Sequence, residues 1–178
     1  TEHRPYTRYY VSIDYGTLNP FSAGLWGYCK GVWYRIREYY YDGRKTKKQK
    51  TDEEYYRDVE KLIGDTPIYA IIVDPSAASF ITTIRKHGKY SVRHAINDVL
   101  DGIRLTATCI QQRKILINDC CKDSIAEFAS YVWDTDYAQK TGTDRPLKEH
   151  DHAMDDIRYF CMSVLKNDGM PTGINLRR

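Results

Sequence analysis

Residues 68–73 read Ile-Tyr-Ala-Ile-Ile-Val, a near-continuous apolar run that halts at Asp74-Pro75. A strand that is apolar at successive positions is covered on both faces, as central strands of α/β sheets are. Proline has no N–H to give to a ladder, so the strand ends at Asp74. Residues 8–14 (Arg-Tyr-Tyr-Val-Ser-Ile-Asp) form a second strand that also closes on an acid, with Tyr9, Val11 and Ile13 on one face. Residues 21–28 and 32–41 alternate and are rich in aromatics, and Lys30-Gly31 between them marks a hairpin. The chain therefore opens with three antiparallel strands.

Helical patterns follow. Thr51 and Glu54 have capping-box spacing before a helix over about 52–64, whose stripe is Tyr55, Val59, Leu62 and Ile63. Residues 77–87 turn Phe80, Ile81 and Ile84 inward, and Gly88 stops them. Residues 90–94 make a short strand. Asn97 is placed to cap a helix to about 111, and Asn118 another to about 133. A last helix over about 150–166 directs Met154, Ile157, Cys161 and Val164 to the core. The order β-β-β-α-β-α-β-α-α-α predicts an α/β fold: one mixed five-stranded sheet, three antiparallel strands and then parallel ones, flanked by helices on both faces.

The 178 residues suit one domain, with a core over about 8–166 and a loose tail over 167–178. No stretch approaches the roughly 20 apolar residues of a membrane helix. The first residue is not Met, and the expectation is a piece of a longer protein. Five cysteines, an odd number without a CxxC, fit neither a disulfide framework nor a zinc knuckle and favour a reducing compartment. Net charge is only +3, but Arg44, Lys45, Lys47, Lys48 and Lys50 crowd one window without an acid. Such a run is a solvated loop or a phosphate-binding patch.

The chemistry gathers at the strand ends. If the two strands are parallel neighbours, Asp14 and Asp74 lie side by side. Two close carboxylates repel unless a cation sits between them, and oxygen ligands suit Mg²⁺ or Mn²⁺. The competing role of each Asp is to start a turn. A third group is Glu149-His150-Asp151-His152-Ala153-Met154-Asp155-Asp156. On a helix Asp151, His152 and Asp155 share a side, while Asp156 is rotated by about 100°. Capping accounts for Asp151 alone. It accounts less well for a His-x-x-Asp pair, since His⁺ is disfavoured at a helix N-terminus. Zinc through His150, His152 and Asp155 matches no HExxH or HxxxH spacing, and no P-loop, GxGxxG or GxSxG occurs.

Three acids from strand one, strand four and a C-terminal helix, on this element order, resemble the ribonuclease H-like (retroviral integrase-like) superfamily. The segments "VSIDYGTLNPFSAGLWG", "YAIIVDPSAASFITTIRK" and "DHAMDDIRYF" together resemble the nuclease domain of tailed-phage terminase large subunits, over about residues 8–165. The resemblance implies an isolated endonuclease domain, residues 1–178, without the family's N-terminal ATPase. It implies Asp14, Asp74 and Asp155 as catalytic metal-binding acids, with His152 one turn before the last acid and Asp151 as a possible accessory. It implies two divalent cations, Mg²⁺ or Mn²⁺, bridged by Asp14, and two-metal phosphodiester hydrolysis of concatemeric double-stranded DNA. A polar stretch, 134–148, falls where the family has a hairpin beside the site. Lys45, Lys47, Lys48, Lys140, Arg145 and Lys148 are the candidates for DNA-backbone contacts. The implied partners are double-stranded DNA, the terminase ATPase domain, the small terminase subunit and the portal, with no membrane, in the host cell cytoplasm. The rival readings are a Holliday-junction resolvase of the same superfamily, an actin/Hsp70-like ATPase fragment, and a DNA-binding module without catalysis.

Overall fold

The computed structural model describes residues 4–130 and 151–166. The expected stretch 134–148, with Lys140, Arg145 and Lys148, and the tail 167–178 lie outside the described residues. Strands β1 (Arg8–Asp14), β2 (Phe21–Cys29) and β3 (Val32–Tyr41) form the antiparallel meander read from the alternation. The β2–β3 turn is Lys30-Gly31, with φ of 48° and 86°. Two successive positive φ values make the turn that matches the twist of paired strands, and glycine serves the second position without strain. The apolar run supplies β4 (Ile71–Val73), parallel to β1, and β5 (Val92–His94) pairs parallel to β4.

The sheet has six strands, not five, in the order β5-β4-β1-β2-β3-β6. The added strand, β6 (Ile115–Ile117), pairs parallel to β3. Its three residues follow Gln111-Gln112-Arg113-Lys114, and so short an apolar run carries no period of its own.

Helices cover both faces. Val11, Ile13, Phe21, Ala23, Leu25, Ile71 and Val73 face α2 (Asp52–Ile63) and α3 (Ala78–His87), which follow the one-turn α1 (Gly43–Thr46). Thr51 and Glu54 close the expected capping box, and Gly88 ends α3 at φ 68°. The opposite face carries Trp26, Trp33 and Ile72. These pack against α4 (Val99–Gln111) and α6 (His152–Phe160), which runs on as a π-helical turn, Cys161–Leu165. Phe160 stacks on Trp26 with ring centroids 4.0 Å apart. Two expected starts move. Asp98 rather than Asn97 caps α4, and α5 (Lys122–Ser130) begins four residues past Asn118.

One buried ion pair fastens α6 to the sheet. Arg35 of β3 and Asp156 of α6 are both fully buried and meet through two hydrogen bonds, the Nη2 bond at 2.9 Å. Ser12 Oγ donates to the same carboxylate at 2.8 Å, Ser22 Oγ donates to its other oxygen, and Trp26 Nε1 donates to Ser12. Burial would lower the guanidinium pKa, but the Asp156 charge outweighs it and keeps Arg35 ionised. Gly24 makes room for this pair, because a Cβ there would lie 1.9 Å from Arg35 Nη1.

Candidate active site

β1 and β4 run in parallel with Ile13 opposite Val73, so Asp14 and Asp74 emerge side by side at one edge of the sheet. α6 packs on the sheet beside them, through Ile157 and Phe160, and brings Asp151, His152 and Asp155 to the same place. All five side chains line one cleft of about 480 Å³, which Asn19, Arg44, Asn97 and Tyr159 also border.

The acids differ in their surroundings. His152 Nδ1 lies 2.9 Å from Asp14 Oδ2. Burial pushes the Asp14 carboxyl up to about 6; the His152 hydrogen bond opposes this and the Asp155 charge adds to it. For His152, burial opposes the charged ring, but Asp14, Asp151 and Glu127 outweigh it and raise the pKa. Asp74 is also partly desolvated. It accepts from the Ser76 backbone N–H at 2.8 Å and from Asn97 Nδ2 at 2.7 Å, and with help from Tyr159 these hold it below the usual carboxylate range. Asp155 accepts from Arg158 Nη2 at 2.9 Å and Nε at 3.2 Å. Arg158 Nη1 in turn donates to Asn97 Oδ1 at 2.9 Å. Asp74, Asn97, Arg158 and Asp155 thus form one connected chain.

Asn97 and Arg158 are the side chains that reasoning from sequence missed. Asn97 read as a helix cap, and its side chain turns into the cleft instead. The Asp155–Arg158 spacing of three along a helix was the available signal for Arg158. Asp156, next in sequence to Asp155, faces the sheet rather than the cleft. Asp151 lines the cleft, and its side chain makes no capping hydrogen bond to α6.

Among the described residues, no three His, Cys, Asp or Glu side chains are gathered so as to hold a metal ion. Their chemistry nevertheless fits a hard divalent cation. Asp14, Asp74, Asp151 and Asp155 all line the cleft, and burial, with the Asp155 charge adding to it, makes Asp14 hard to ionise without a cation beside it.

The basic window flanks the cleft. Arg44 lines it and donates to Asn19 Oδ1 at 3.0 Å. Lys45, Lys47 and Lys48 are exposed; Lys45 and Lys48 have only loose acidic neighbours at 3.9 Å and 3.7 Å. Lys50 is committed inward, to Asp58 and over the Tyr41 ring.

A mixed sheet of this order, with acids at the ends of adjacent parallel strands and on a helix packed across them, is the ribonuclease H-like arrangement. The chain's structural homologues are the nuclease domains of phage terminase large subunits. The large terminase of a thermophilic bacteriophage is 54% identical with a TM-score of 0.89, over 93% of this chain and 42% of that one. The P22 large terminase nuclease domain matches at 17% identity and a TM-score of 0.70, over 92% of this chain and 84% of that one. The SPP1 large terminase nuclease domain, solved with bound Mn, matches at 22% identity and a TM-score of 0.62, over 87% and 85%. At these identities the last two speak for the fold. The chain spans 42% of the length of the thermophilic-phage protein. No protein-family model and no curated protein matches the chain.

Proposed function

We propose that this chain is a metal-dependent DNA endonuclease, the cutting domain of a viral terminase large subunit that severs concatemeric double-stranded DNA during genome packaging. The observation that carries this reading is the meeting of Asp14, Asp74 and Asp155 at one cleft, in a fold whose homologues are terminase nuclease domains. Asp14, Asp74 and Asp155 would hold two divalent cations, Mg²⁺ or Mn²⁺; the Mn bound by the SPP1 domain supports a divalent ion. Such ions supply Lewis acidity, lowering the pKa of water and neutralising charge on the phosphate.

The protein's own groups set the stage for this. His152 holds Asp14 in place and keeps a proton within reach of its carboxylate. Asn97 and Arg158 hold Asp74 and Asp155 at the cleft, where these two acids would serve as ligands to the cations. Lys45, Lys47 and Lys48 contact the DNA backbone without reading sequence. On this reading the partners are double-stranded DNA, the terminase ATPase domain, the small subunit and the portal, in the host cell cytoplasm.

Nicking of supercoiled plasmid with Mn²⁺ or Mg²⁺ tests the proposal. Asp14→Asn, Asp74→Asn and Asp155→Asn should each lower the rate by about a hundredfold or more, the scale of losing a few kcal/mol of transition-state stabilisation. A folded variant with the wild-type rate would remove that residue from the site, and a wild type that leaves plasmid intact with either ion would end the reading.

A further inference from the structure

We propose that Glu127 is a positioning residue for this cleft. From α5 it fixes the first turn of α6, and so the angle at which His152 and Asp155 meet Asp14. The inference rests on the nuclease reading and deepens it. The first N–H groups of a helix have no acceptor within the helix, and a Ser, Thr, Asp or Asn just before it ordinarily supplies one. α2 follows this habit through Thr51. α6 does not, because the preceding Asp151 makes no capping bond with its side chain.

Glu127 supplies the acceptor from another helix. Its Oε2 accepts from the backbone N–H of Ala153 at 2.7 Å and of Met154 at 3.1 Å. Its Oε1 accepts from Tyr40 Oη of β3 at 2.8 Å. The residue is 5% exposed, and a carboxylate is buried to that degree only when its oxygens are satisfied. Burial raises its carboxyl to about 7 against those three hydrogen bonds, and its ionised form suits the positive end of the helix dipole, where His152 by itself is poorly placed. The first turn of α6 is thereby tied through Glu127 to Tyr40 and the sheet, while Asp151 lines the cleft.

Glu127→Ala removes the cap. Glu127→Gln keeps a carbonyl oxygen for the two N–H groups and an amide that donates to Tyr40. Two readouts apply to the full chain: hydrogen exchange of the Ala153 and Met154 amides, and the Mn²⁺ concentration for half-maximal plasmid nicking. In Glu127→Ala, exchange at both amides should quicken about tenfold and the half-maximal Mn²⁺ concentration should rise about tenfold, the scale of one lost cap. In Glu127→Gln both should stay within about 1.5-fold of wild type. Tyr40→Phe, which loosens only the tether, should shift the Mn²⁺ dependence by about threefold and decides the matter if Glu127→Ala does not fold. A wild-type Mn²⁺ dependence in the folded variants, whatever their melting temperature, would overturn the proposal. So would a Gln variant as impaired as the Ala variant. Those outcomes require an active wild type, whereas a wild type that fails to cut removes the nuclease reading and this inference together.

Discussion

Asp14 occupies a position that works against its own charge. Its folded pKa of about 6 lies above the ordinary 3.8, so the folded chain binds more protons than the unfolded chain between those values. Metal-free stability therefore falls as pH rises through that window and levels off above it. Asp14→Asn should stabilise the metal-free chain at about pH 8 by roughly 1–3 kcal/mol and leave it unchanged near pH 4, by denaturant unfolding at the two pH values. A gain of equal size at both would assign it to packing instead. Arg35 shows the opposite case. Arg35→Met strands the fully buried Asp156 and should cost roughly 3–5 kcal/mol in urea unfolding. Gly24→Ala strikes the same pair from the neighbouring strand and should be destabilising too, since its Cβ has no room beside the guanidinium.

At the scale of elements, Thr51→Ala should cost α2 about 1 kcal/mol, read as a lower melting temperature with unchanged nicking, because the capping box lies away from the cleft. What the sequence disclosed follows the range over which its signals act. The ends of α2 and α3 were legible because Thr51, Glu54 and Gly88 act on backbone groups only a few residues away. The strand end at Asp74 was legible too, since a near-continuous apolar run that closes on Asp-Pro fits a central strand and little else. β6 was not, because its three residues gain their meaning from Trp33, Tyr34 and Arg35, some eighty positions earlier. Asn97 and Arg158 were hidden for a related reason. Asn97 is defined by Asp74 and Arg158 from other elements, and an isolated Asn before a helical pattern resembles a cap; Arg158 had a local signal in Asp155, but nothing local told of its bond to Asn97. Glu127 sits in a stretch whose apolar spacing marks a helix but says nothing of the helix it caps.

For the whole molecule, Lys45, Lys47 and Lys48 stand exposed on α1 and just after it, beside Arg44, which lines the cleft. Replacing all three with Ala should weaken duplex binding and flatten the log–log dependence of affinity on salt by about 2 to 3 units, as three lost phosphate contacts require. Fluorescence anisotropy between about 50 and 200 mM salt reads this, and an unchanged slope would assign the contacts elsewhere. Among the described residues the sheet is bounded by β5 and β6, each three residues long. A border so brief exposes few unpaired backbone donors and acceptors, too few to template growth by an incoming chain. Crowded copies should on that account remain dispersed rather than zip into fibrils.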